Sequence, residues 1–90
     1  MMPVEKCLQQ FQQEYERRLD KTTIVLYQRT VSEMITYCSV PFQEITTRNI
    51  RKWLSHLEEK GHAPATIKKK LFGLRLFYTY CLEEQLMKLL

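Results

Sequence analysis

The sequence predicts an all-α fold, a single bundle of four helices. Three observations carry this reading. Only two glycines and three prolines occur in 90 residues, with little clustering of β-branched side chains. Apolar residues recur at spacings of three and four in four successive blocks, the period of a helix that buries one stripe. Each break between blocks carries a residue type that starts or stops helices. At 44% hydrophobic content, residues 1–90 are enough for one core and one domain, and two domains are not expected.

The first helix is expected from about Val4 to Leu19, with Val4, Leu8, Phe11, Tyr15 and Leu19 as its apolar stripe. Lys21-Thr22-Thr23 interrupts, and a threonine is available there as N-cap. The second helix is expected over about Thr23–Ser39, with Tyr27, Val31, Met34 and Cys38 as its seam and Ile24 and Ile35 alongside. Pro41 closes it, because the residue before a proline is pushed out of helical angles. Thr46 or Thr47 caps the third helix, whose seam is Ile50, Trp53, Leu54 and Leu57 and whose end is Gly61, a residue suited to a left-handed terminus. The fourth starts near Pro64 or Thr66. At about 100° per residue, Ile67, Leu71, Leu74, Tyr78 and Cys81 form its core stripe. Lys69, Phe72, Gly73 and Leu76 fall on the opposite side, flanked by Lys68 and Arg75. Glu83 to Leu90 reads either as a continuing helix or as a separate apolar hook, and Leu86, Leu89 and Leu90 have no place in a four-helix core.

Charge is unevenly placed. Lys60 to Leu82 contains no Asp or Glu and carries five cations, while the other 67 residues hold nine basic and ten acidic side chains. The net charge of +4 therefore comes from one helix and its approach. A solvated helix usually mixes both signs; a helix that bars carboxylates suits a polyanion, where each Lys or Arg displaces a condensed counterion from a phosphate. The plainer reading is a solvated face that only keeps the chain soluble, and Leu76 with the terminal leucines would then mark a protein contact.

Several chemistries find no support. Cys7, Cys38 and Cys81 are odd in number, far apart and set in apolar helical patterns, which reads as buried free thiols. His56 and His62 have no metal-ligand spacing, so neither a metal site nor a cofactor is expected. No run of eighteen apolar residues and no signal-like stretch occurs, so a membrane partner is not expected and an intracellular, cytoplasmic protein is the default. Trp53 reads as a core residue rather than a base-stacking platform.

The order of these signals resembles the N-terminal core-binding domain of tyrosine recombinases, the phage integrases. Phe11 and Tyr15, then Thr23-x3-Tyr27, Tyr37-Cys38, the stretch EITTRNIRKWLSHLEEKG and the stretch APATIKKKLFGLRLFYTYC follow one another over about residues 5 to 84. The strongest piece, Thr66-Ile67-x-Lys69-Lys70-Leu71-x-Gly73-Leu74-Arg75-x-Phe77-Tyr78, is similar to the family's T-I-x-R-x-L-x-A-L-R-x-F-Y signature. Lysines replace an arginine, and Gly73 takes the small-residue position. The resemblance implies an orthogonal, SAM-like bundle of four to five helices that forms half of a clamp on double-stranded DNA. It implies major-groove contacts from Thr23 and Leu26 on the second helix and from Thr66, Lys69, Phe72 and Gly73 on the fourth. Lys68 and Arg75 would serve as phosphate anchors, and Thr22 and Thr23 as helix caps that can also meet phosphate. Bulky Phe72 and Leu76 depart from the small polar residues usual in the family.

The resemblance further implies a bacterial or phage-encoded, nucleoid-associated protein whose nucleophilic tyrosine, arginines, lysine and histidine belong to a separate catalytic domain. That domain would be a partner within the full-length protein, and self-association on DNA would follow from it. No catalytic residue is expected in this chain, and Leu90 is expected to be a boundary rather than a natural end. A helical protein-interaction domain remains the alternative from another class. A helix-turn-helix repressor is weaker, since it would use a shorter recognition helix after a tight turn.

Overall fold

The computed structural model describes residues 3–84, and the readings of Leu86, Leu89 and Leu90 lie outside them. Four helices form an all-α bundle: α1 (Val4–Tyr15), α2 (Lys21–Cys38), α3 (Thr47–Glu59) and α4 (Pro64–Glu83), with one 3-10 turn at Phe42–Glu44. The bundle is a slab of 34 × 30 × 17 Å, two helix layers thick. No described helix is long and apolar enough to cross a membrane.

The helix ends follow from local chemistry. Asp20, not a threonine, is the N-cap of α2, and its Oδ1 accepts the Thr23 N–H at 2.7 Å. Thr22 and Thr23 lie inside the first turn instead. The residue after α2, Ser39, takes a left-handed φ of 57°, and its N–H bonds the Ile35 carbonyl. Thr46 caps α3 in a reciprocal box: its hydroxyl accepts from the Asn49 N–H at 3.2 Å, and Asn49 Oδ1 accepts from the Thr46 N–H at 2.9 Å. At the other end Gly61, at φ 87°, donates to the Glu58 carbonyl and His62 to that of Leu57. Helix α1 ends at Tyr15, one turn short of the expected Leu19, and α4 begins with Pro64 in its first turn.

The core is one cluster. Phe11 of α1 meets Phe77 and Tyr80 of α4 edge-on at 5.7 and 5.8 Å. Trp53, Met34, Val31 and Leu74 are fully buried around it. Phe42 closes one end by packing on Phe77, and its carbonyl accepts the Tyr78 hydroxyl at 2.8 Å. Gln28 Nε2 ties α2 to α1 through the Leu8 carbonyl at 3.1 Å.

Helix α4 is rotated relative to the sequence expectation. Its buried residues are Lys70, Gly73, Leu74, Phe77, Tyr80 and Cys81, whereas Ile67, Leu71 and Tyr78 are half-buried at the margin. Gly73, expected on the outward side, is the closest point between α4 and α2. A Cβ built there would stand 2.7 Å from Cγ and 2.9 Å from Cε1 of the Tyr27 ring, nearer than real Cβ atoms approach. Lys70, expected within a solvated lysine run, is also buried, and its Nζ donates to Glu33 Oε2 at 3.0 Å.

Two expectations follow. Gly73→Ala should lower the melting temperature by several degrees, because about 1–3 kcal/mol of overpacking outweighs the gain of about 1 kcal/mol in helix propensity. Phe72→Ala, one position earlier but exposed, should leave it almost unchanged. Burial pushes the Cys81 thiol up to about 12 and raises that of Cys7. Both should therefore resist alkylation at pH 8 until the chain is denatured, while half-buried Cys38 reacts first.

Candidate nucleic-acid interface

The outward side of α4 carries Lys68, Lys69, Phe72, Arg75 and Thr79, all exposed. Lys68, Phe72, Arg75 and Thr79 follow at spacings of four, three and four, so they stack along one stripe. Phe72 is its centre and is 58% exposed, the most open large apolar side chain among those described. Leu76, at i+4 from Phe72, is half-buried at the edge of this face.

Helix α2 borders the stripe. The Phe72 ring lies 6.2 Å from the Tyr27 ring, tilted by 52°, which links the exposed face to the α2–α4 contact beneath it. One turn before Tyr27 is Thr23, half-buried, beside exposed Thr22; Leu26 is half-buried against the core. The Asp20 carboxyl is held below the ordinary carboxylate range by the Thr23 hydroxyl and then the Thr23 N–H, with Lys69 adding a coulombic contribution. Lys69 therefore stands close enough to the α2 N-terminus for their charges to interact.

This geometry brings together Thr22, Thr23, Leu26, Lys69 and Phe72, with Lys68 and Arg75 on the far flank. It does not bring Gly73 to the surface. Thr66 is exposed, but one turn before Lys70 on the stripe that turns inward further along, so it stands apart from the Phe72 face. Phosphate capture by the α2 N-terminus is also limited, since the Asp20 carboxylate already occupies the Thr23 N–H. Thr79 was missed by the sequence reading, although its spacing of seven from Phe72 was a usable signal.

Among the described residues Lys70–Glu33 is the one ion pair at contact distance, so Lys68 and Arg75 keep their charge available, while Lys69 also feels the Asp20 carboxylate. No group of three or more His, Cys, Asp or Glu that could hold a metal occurs among the described residues. Burial raises the Tyr27 and Tyr80 hydroxyls, and it raises that of Tyr78 further while the hydroxyl donates to the Phe42 carbonyl.

The described residues thus form an all-α bundle with a cationic stripe on its last long helix. The profile of the phage integrase N-terminal SAM-like domain matches residues 7–88, and the chain belongs to that family. Among curated proteins it is 34% identical over 77 residues to tyrosine recombinase XerC of Bacillus pumilus, covering 81% of this chain and 25% of the relative. It is 33% identical to tyrosine recombinase XerD of Halalkalibacterium halodurans, covering 96% of this chain and 31% of that protein. XerC of Bacillus subtilis is 32% identical over 77 residues, covering 81% of this chain and 25% of its own length. The chain thus spans a quarter to a third of these relatives. No solved structure matches it.

The Asp20 cap gives a pH test. Because the folded carboxyl lies below its ordinary value of 3.8, the cap's contribution is complete above that pH and is lost as pH falls through the lower folded value. Asp20→Asn, which also caps well, should keep neutral-pH stability and flatten the acid limb of thermal melts recorded from pH 6 to pH 2.

Proposed function

We propose that this chain is the core-binding domain of a tyrosine-type site-specific recombinase and that it grips the duplex of a recombination site with α4 and the start of α2. The carrying observation is the α4 stripe, on which Lys68, Lys69 and Arg75 surround exposed Phe72 with no carboxylate on the same helix face. Family membership supports the reading, as does the likeness to XerC and XerD recombinases.

In this reading Lys68 and Arg75 neutralise phosphates on one flank and Lys69 on the other, which positions the domain without reading sequence. Phe72 supplies an apolar contact for deoxyribose or a thymine methyl. Thr22 and Thr23 offer hydroxyls rather than a free helix terminus, and Leu26 gives the face an apolar border. At 20 residues α4 is about 30 Å long, which suits a helix lying across a groove. The chain itself is no enzyme: strand cleavage and joining belong to a catalytic domain elsewhere in the full-length protein, which also supplies assembly on paired half-sites. A cytoplasmic site of action follows from the same reading.

The test is fluorescence anisotropy with a labelled duplex between 50 and 200 mM salt. Affinity should fall steeply with salt, and Lys69→Glu or Arg75→Glu should each weaken binding about tenfold or more at low salt with unchanged melting temperature. Duplex affinity indifferent to both reversals would favour the protein-interaction reading, for which the half-buried Ile50, Leu54, Leu71 and Tyr78 between α3 and α4 provide an apolar groove.

A further inference from the structure

A second cationic surface lies beside the α4 stripe, in a groove between α2, α3 and the start of α4 that none of the site residues above line. Its volume is about 610 Å³. Arg29 of α2 stands on one wall, Lys60 at the end of α3 on the other, and Lys70 at the inner edge. The carboxylate lining it, Glu33, is engaged by Lys70 at 3.0 Å.

Two features make this more than a solvated wall. Lys70 is fixed: its side chain is only 9% exposed, so an ammonium group with three donors is held at the groove at an ordering cost met in folding. Lys60 is not needed to finish α3, because Gly61 and His62 already donate to the last-turn carbonyls of Glu58 and Leu57. Its side chain is exposed and free to meet a ligand.

The outer wall adds a flat surface. Tyr37 of α2 and His56 of α3 stack at 4.5 Å with their planes 24° apart, and Tyr37 is exposed. Arg29 lies one turn after Leu26 on α2, and Lys70 marks the groove's inner edge on the inward side of α4.

We propose that this groove is a second anion site that takes a backbone phosphate of the same duplex, with Arg29 and Lys60 closing on it from opposite walls. The proposal rests on the DNA-binding reading and extends the contact from α4 to the end of α3.

The test uses the full chain and the same labelled duplex. Arg29→Gln/Lys60→Gln is compared with Lys6→Gln/Arg17→Gln, which removes equal charge from exposed positions on and just after α1. If both groove cations meet phosphates, the slope of log affinity against log salt should shrink by about 1.8 for the groove pair and hardly change for the α1 pair. At 0.1 M salt each lost contact corresponds to about an eightfold loss of affinity. Equal slopes for the two double variants, with Lys69→Glu still weakening binding, would overturn the groove site and leave the α4 reading intact. Absence of salt-dependent duplex binding by the unaltered chain would overturn both.

Discussion

The contact between Gly73 and the Tyr27 ring fixes the rest of the molecule. Helices α2 and α4 share the most extensive packing in the bundle, and at this point no side chain separates the α4 backbone from the ring. That closeness determines the rotation of α4 about its own axis. Leu74, Phe77 and Cys81 then turn into the core, and Lys68, Phe72 and Arg75 turn out. A shift of one residue in this contact would rotate α4 by about 100° and break up the outward cationic stripe. The outward face is thus a consequence of packing on the other side of the same helix.

The lysine run shows how finely this rotation sorts charge. Lys68 and Lys69 remain in solvent, whereas Lys70 passes beneath the surface to meet Glu33. Lys70 is buried but Glu33 is 43% exposed, so solvent screens the pair and its net stability contribution is small; removing Glu33 would leave the Lys70 ammonium buried without its partner. The pair's structural effect is to tie the first half of α4 to the middle of α2. Glu33 is thereby committed to Lys70.

Much of the fold was legible from local signals and much of the face was not, for a physical reason. Helix positions, the Thr46 cap, the left-handed Gly61 and the closing role of Pro41 depend on neighbours in sequence, and those neighbours can be read directly. Rotation of α4 depends on which apolar stripe packs. Leu71, Phe72, Leu74, Leu76, Phe77 and Tyr78 surround the helix almost completely, so periodicity favours no single side strongly. The stripe through Ile67, Leu71 and Tyr78 puts Gly73 outside. Phe77, fully buried, and the tight approach at Gly73 show the stripe to be centred further round. Lys69, Phe72, Lys68 and Arg75 survived that error because they lie far enough from either boundary. The Asp20 cap was overlooked because two threonines followed it, although an aspartate three residues before the amide it accepts is the commoner device.

Phe72 is the residue whose placement discriminates among uses of the face. A single exposed aromatic needs no explanation by itself. Its setting is what is informative: an apolar centre ringed by cations, with the nearest acid, Asp20, already engaged as a helix cap. A protein partner for an apolar patch gains by burying it, yet it would have to desolvate Lys68, Lys69 and Arg75 or bring carboxylates to each of them. A duplex needs neither, because its phosphates lie outside its sugars and base edges, and the same arrangement of charge around an apolar middle is presented in complement. The face is small, and few phosphates can touch it, so an isolated domain gains limited counterion release. High affinity on this geometry therefore requires further contacts, either along the neighbouring groove or from another domain closing on the opposite side of the duplex.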